Sequence, residues 1–114
     1  MDTLEIVLLY DYYGDLLTDR QKECFEMRYY QDLSLGEIAA ELGISRQGVH
    51  DNLSRTEALL RNMEAKTGCV ERDRACRKAM AAVQSAAKEL QNHADPRVST
   101  LATEILSAAQ TIKE

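Results

Sequence analysis

The sequence predicts an all-α protein. Apolar residues recur at three- and four-residue spacing along most of the chain, and Thr18, Ser34, Ser45 and Asp95 each stand just before such a run. One Pro, five Gly and no Trp in 114 residues leave little of the punctuation that separates strands. A chain of this length holds one compact domain, or a small domain with a helical arm. The expected division places a helix-turn-helix domain at residues 1–67. A C-terminal helical hairpin at 68–114 then serves as a packing or dimerisation arm.

In chain order, residues 3–16 predict a first helix with Leu4, Val7, Leu8, Tyr12 and Leu16 on or near one face and Gly14 as the break. Asp2, Glu5, Asp11 and Asp15 give it an acidic face, which repels nucleic acid and suits a basic protein patch. Thr18 and Gln21 form a Thr-x-x-Gln capping box that opens a second helix running to about Tyr30. Ser34 and Glu37 form another such box, so a third helix starts near Leu35 with Ile38, Ala39 and Leu42 inward. Gly43 supplies the positive φ that ends this helix, and Ile44 is expected to tuck the turn into the core. Ser45 caps a fourth helix whose buried face is Val49, Leu53, Thr56 and Leu60, continued by Met63.

Beyond Gly68, residues 71–92 place Cys76, Met80, Val83, Ala87 and Leu90 on a seam of alternating four and three spacing. Asp95 with Pro96 caps a last helix whose expected seam is Val98, Leu101, Ile105, Ala108 and Ile112. The turn around Asn92–Asp95 is short enough for an antiparallel hairpin, and abundant alanine permits close approach. Two helices alone bury little, so these seams are expected to pack on the helix-turn-helix domain or on a second copy of the chain.

Helices three and four, joined by the Gly43 turn and crossing at the small Ala39, make a helix-turn-helix. Its outward face should carry side chains able to reach phosphates and base edges, and the candidates are Ser45, Arg46, Gln47, His50, Asn52, Ser54 and Arg55. Arg can bind guanine bidentately, Gln and Asn suit adenine, and a helix N-terminus favours phosphate. Gly48 is a weak helix former that either lets a partner approach the backbone or is simply tolerated. Asp51 opposes phosphate binding unless it points away or pairs with Arg55.

These residues carry a resemblance. The stretch from Leu16 to Leu60, with Leu17-Thr18, Gln21, Tyr29-Tyr30, Ser34 to Ala39, Ser45 to Gln47, Asp51-Asn52 and Arg55 to Glu57, resembles region four of bacterial sigma factors. It is more similar still to the YlxM family of small proteins related to that region. The likeness covers residues 4–65 and does not extend to residues 69–114. It implies a helix-turn-helix fold and a regulatory role linked to the signal recognition particle, with duplex DNA or the particle's RNA or protein as partner. Two functions follow as alternatives: a nucleic-acid-binding regulator, or a non-catalytic accessory that binds signal recognition particle protein or RNA rather than duplex DNA.

Charge complicates the first alternative, because the formal net charge is -5 and phosphate-binding proteins usually present a basic face. The charge is uneven. Residues 1–45 hold ten acidic and three basic side chains, whereas residues 46–97 hold seven acidic and ten basic. Arg46, Arg55, Arg61, Lys66, Arg72, Arg74, Arg77 and Lys78 either form a basic stripe or lie on solvated faces offset by neighbouring acids. The five tyrosines are expected to pack between helices rather than serve as stacking platforms for bases.

Neither a signal sequence nor a membrane span is expected, which predicts a cytoplasmic protein. Cys24, Cys69 and Cys76 lack the paired spacing of a zinc site and are expected as reduced, mostly structural thiols. No phosphate loop, nucleophile-base pair or metal cluster is present, so no cofactor, no metal and no enzymatic activity are expected.

Overall fold

The computed structural model describes residues 3–112, so Asp2 of the expected acidic face lies outside the described residues. Among these residues the chain is all-α, with six helices: α1 Thr3–Tyr13, α2 Asp19–Tyr29, α3 Leu35–Leu42, α4 Arg46–Thr67, α5 Cys69–Gln91 and α6 Pro96–Gln110. A 3₁₀ turn, Gly14–Leu16, joins α1 to α2. The chain forms two compact units that meet between Val70 and Glu71.

In the first unit, α4 packs against α1, α2 and α3. Its upper half sends Val49 and Leu53 into a core shared with Cys24, Ile38 and Ala39. Its lower half sends Leu60 into a second core with Ile6, Leu9, Tyr10, Phe25 and Val70. Thr56, fully buried, lies between the two. One 22-residue helix therefore serves both cores with a single stripe.

The buried face of α1 differs from the expected one. Ile6, Leu9, Tyr10 and Tyr13 are inside, while Leu4 and Leu16 are 76% and 71% exposed. Nearly every position from Leu4 to Tyr13 is apolar or aromatic, so periodicity offers two competing stripes. Ring packing selects between them: Tyr10 stacks on Phe25 with centroids 4.2 Å apart, and Phe25 meets Tyr29 at 4.5 Å. The backbone comes close here, since a Cβ on Gly14 would sit 3.2 Å from the Tyr10 ring. The 3₁₀ turn then rotates Leu17 inward and leaves Leu16 in solvent.

The buried tyrosines keep their hydroxyls paired. Tyr10 donates to Glu26 at 2.6 Å and Tyr13 to Glu64 at 2.6 Å. Burial first, and the neighbouring carboxylate second, push both phenols above their ordinary range. Glu64 also accepts from the Val70 amide at 3.1 Å, and Thr67 accepts from the Cys69 amide at 3.3 Å. Helix α5 thus begins directly after Gly68, in the left-handed region at φ 63, with its first amides capped by side chains of α4.

In the second unit, Asp95 caps α6 by accepting from the Arg97 amide at 2.9 Å, with Pro96 at the first helical position. Gln91 donates to Thr103 at 3.1 Å and Ser99 donates to the Gln91 carbonyl at 3.0 Å, tying the two helices beside their turn. The shielded side of α6 lies one residue away from the expected seam. Ala102 and Ala109 are buried, whereas Leu101, Ile105 and Ile112 are exposed. On α5, Ala87 is buried but Cys76, Val83 and Leu90 are not. Small residues allow the closer approach and take the inner positions. None of Cys24, Cys69 and Cys76 is in a disulfide, and of the three only Cys24 is fully buried; burial pushes its thiol upward.

Thr56 generates a prediction. Its Oγ1 is buried with no hydrogen-bond partner, and an orphaned buried hydroxyl costs about 1–3 kcal/mol. Thr56→Val should raise the urea midpoint with an unchanged slope, a gain of about 1 kcal/mol. A lowered midpoint would show that the hydroxyl is satisfied in solution.

Candidate nucleic-acid interface

The helix-turn-helix is built from local chemistry. At the start of α3 the Glu37 amide donates to Ser34 Oγ at 3.1 Å, while the Ser34 amide donates to the Glu37 carboxylate at 3.0 Å. The Ser34 backbone amide, then its hydroxyl, hold the Glu37 carboxyl below its ordinary range. This cap is therefore intact above the carboxylate range and is lost as pH falls through the lowered value. Gly43 ends α3 at φ 67, and the Ile44 amide reaches back to the Ala39 carbonyl at 3.1 Å, closing a Schellman turn. Ile44 does not tuck into the core as expected. It is 37% exposed and lies beside Gly48, within 4 Å of where a Cβ would stand.

Ser45 caps α4 by accepting from the Gly48 amide at 2.9 Å. Gly48 thus occupies the position that Gln21 and Glu37 hold in α2 and α3, where their side chains return to the cap residue. With no side chain, Gly48 cannot complete the box, and a Cβ there would stand 3.2 Å from Ser45 Oγ. The cap is consequently one-sided.

Of the seven sequence-predicted residues, Ser45, Arg46, Gln47, His50, Ser54 and Arg55 are exposed, and Asn52 is half-buried. The Oδ1 atom of Asn52 is shut off from solvent without a partner, while the residue lines the groove between α2 and α4. The others do not form one patch. At 100° per residue, Asp51 lies opposite the buried stripe, with Gln47 and Ser54 on one side of it and Arg55 at a like angle on the other, while His50 and Arg46 fall farther round on the Gln47 side. Asp51 does not pair with Arg55; it accepts from Gln47 Nε2 at 2.9 Å and lies 3.5 Å from His50 Nδ1. The centre of the face is therefore an acid held by the two side chains beside it.

One neighbour was not legible in the sequence. Arg20, from the first turn of α2, lines a groove with Thr18, Gln21, Asp51, Asn52 and Arg55. It brings a second guanidinium to the Arg55 flank. Arg46 lies over the first turn of α3, its Nε 3.6 Å from where a Cβ on Gly36 would stand. Arg20 belongs to the acidic half of the chain, so only folding reveals its place. Among the described residues, no group of three His, Cys, Asp or Glu side chains gathers to hold a metal, and no helix is long and apolar enough to cross a membrane.

The one-sided cap sets a testable difference. Ser45→Ala should lower stability by about 1 kcal/mol, and Ser45→Asp should restore most of it because a carboxylate also accepts from the Gly48 amide. Ser54→Ala, on an exposed helical face, should leave the urea midpoint in place.

Comparison with known proteins agrees with this architecture. The model of the YlxM / p13-like helix-turn-helix protein family matches residues 1–97, so the likeness runs through α5, beyond the residues 4–65 that the motifs alone marked. A UPF0122 protein of Thermoanaerobacter sp. (strain X514) is 58% identical over 71 residues, covering 62% of this chain and 61% of its own length. A UPF0122 protein of Caldanaerobacter subterraneus subsp. tengcongensis is 56% identical over 71 residues, again 62% of this chain and 61% of its own. The chain thus spans about three fifths of the length of these two relatives. A UPF0122 protein of Shouchella clausii is 43% identical over 84 residues, covering 74% of this chain and 77% of its own length. With capped α3, the Gly43 turn and the exposed first turns of α4 in place, the chain belongs to the YlxM / p13-like family of helix-turn-helix proteins.

Proposed function

We propose that this protein is a regulator that binds nucleic acid through the outer face of α4, within the signal recognition particle pathway that its resemblance implies. The observation that carries the reading is the placement of guanidinium groups on both flanks of α4, Arg46 on the α3 side and Arg55 with Arg20 on the α2 side. Phosphates on either side of a groove can be met by such flanks, while the N-terminus of α4 adds its amide donors and positive dipole end. Gln47 and Ser54 then face base edges with His50 beside them, and the flanking arginines set register.

A second reading is favoured by Asp51. A carboxylate at the middle of the face, already holding the Gln47 amide, repels phosphate and occupies a group that would otherwise read adenine. It suits a surface that contacts signal recognition particle protein, or RNA through fewer phosphates, rather than duplex DNA.

Titration of labelled duplex DNA, signal recognition particle RNA and its GTPase at several salt concentrations separates the readings. For nucleic acid, Arg46→Ala and Arg55→Ala should each weaken binding and flatten the salt slope by about one unit. Asp51→Asn should strengthen it. No binding to either nucleic acid at low salt would end the first reading, and weaker GTPase binding by Asp51→Asn would support the second.

A further inference from the structure

We propose that Asp51 is a base-reading residue, its carboxylate accepting a hydrogen bond from the amino group of a cytosine in the major groove of duplex DNA. The inference rests on the nucleic-acid reading of α4 and gives the acid at the middle of that face the choice of base. Position is the first argument. The buried stripe of α4 is Val49, Leu53, Thr56 and Leu60, and at 100° per residue Asp51 projects within about 10° of the opposite direction. Gln47 and Arg55 lie about 40° to either side of it. A helix seated in a major groove turns its outermost line, near its N-terminal end, to the base edges and its sides to the two phosphate walls. Asp51 therefore meets bases, and it stands as far from the phosphates as the helix allows. The walls fall to Arg55 with Arg20 on one side and to Arg46 on the other.

Reach is the second argument. An aspartate is short, so it touches a base only where the helix backbone comes close to the groove floor. The residues three before and three after Asp51, its neighbours on the helix surface, are Gly48 and Ser54. Neither stands taller than the carboxylate. A glycine within a helix costs roughly 1 kcal/mol relative to alanine, and at Gly48 it clears the approach as well as the Ser45 cap, where a Cβ would stand 3.2 Å from Oγ.

The chemistry of the carboxylate then selects the base. Gln47 Nε2 donates to Asp51 Oδ1 at 2.9 Å, and His50 Nδ1 lies 3.5 Å from the same oxygen. Both contacts are made through Oδ1, so Oδ2 remains as an acceptor on a side chain that is 54% exposed. The hold on Oδ1 orients the carboxylate before DNA arrives, which lowers the ordering cost of the contact. An ionised carboxylate only accepts. In the major groove guanine presents the acceptors N7 and O6 and thymine presents O4, all of which repel it, whereas adenine N6 and cytosine N4 donate. On adenine the acceptor N7 stands beside the amino group. On cytosine N4 is the sole polar group of that edge, and it is the better fit.

Selection of sites by the full chain from a randomised duplex DNA pool, followed by titration of the selected site and its single-base variants, tests this. The unaltered chain should select cytosine at one position and discriminate against thymine there by roughly 10-fold. Asp51→Asn, at unchanged helical circular dichroism, should bind unselected duplex more tightly yet lose the preference at that position alone, or exchange it for adenine, which suits an amide. Arg46→Ala should weaken binding to every variant of the site alike and keep the cytosine preference. A preference that Asp51→Asn leaves in place, duplex binding without any base preference, or binding confined to RNA would overturn the proposal while the nucleic-acid reading stands. Binding to neither nucleic acid at low salt would end both.

Discussion

The apolar stripe of α4 is the constraint on which the rest of the first unit depends. Val49 and Leu53 close the core under the helix-turn-helix, Leu60 closes the core under α1, and Thr56 spans the joint without leaving the helix. Truncating a buried leucine to alanine commonly costs about 2–5 kcal/mol, a large share of the roughly 5–15 kcal/mol that holds a small domain together. Two cores that share one rigid element cannot be weakened separately. The α1 helix, far along the chain from the turn, thus contributes to holding the first turns of α4 in place.

That arrangement also determines what the outer face can be. Since the stripe uses one side of α4, the opposite side and both flanks are available to Gln47, His50, Ser54, Arg46 and Arg55 on a helix rather than on a loop. Caps fix where the face begins. Gly48 trades the second half of the α4 cap for an N-terminus without a side chain at that position, and Asp51 places an acid at the centre. The result is a recognition surface with cationic flanks and an acidic middle, held to the same backbone geometry by its neighbours.

Features written in local chemistry were legible before folding. Thr18 with Gln21, Ser34 with Glu37, the left-handed glycines at 43 and 68, Pro96 behind Asp95, and the Val49–Leu60 face of α4 depend on residues a few positions apart. What failed depended on a distant partner. The face of α1 was settled by Phe25, Ile44 lies beside Gly48 instead of in the core, and α6 placed Ala102 and Ala109 at its most buried positions. Arg20 reached the Arg55 flank only because α2 lies against α4. Spacing in sequence names a helix and a stripe; it does not say which neighbour claims the stripe when two are on offer.

Native-state hydrogen exchange of Leu60→Ala tests the shared-helix account most directly. Leu60 belongs to the core under α1, yet with α4 common to both cores its truncation should lower the protection of the α3 amides, notably Ile38 and Ala39, as much as Leu53→Ala does. Unchanged protection in α3, with loss confined to α1 and the lower half of α4, would contradict it.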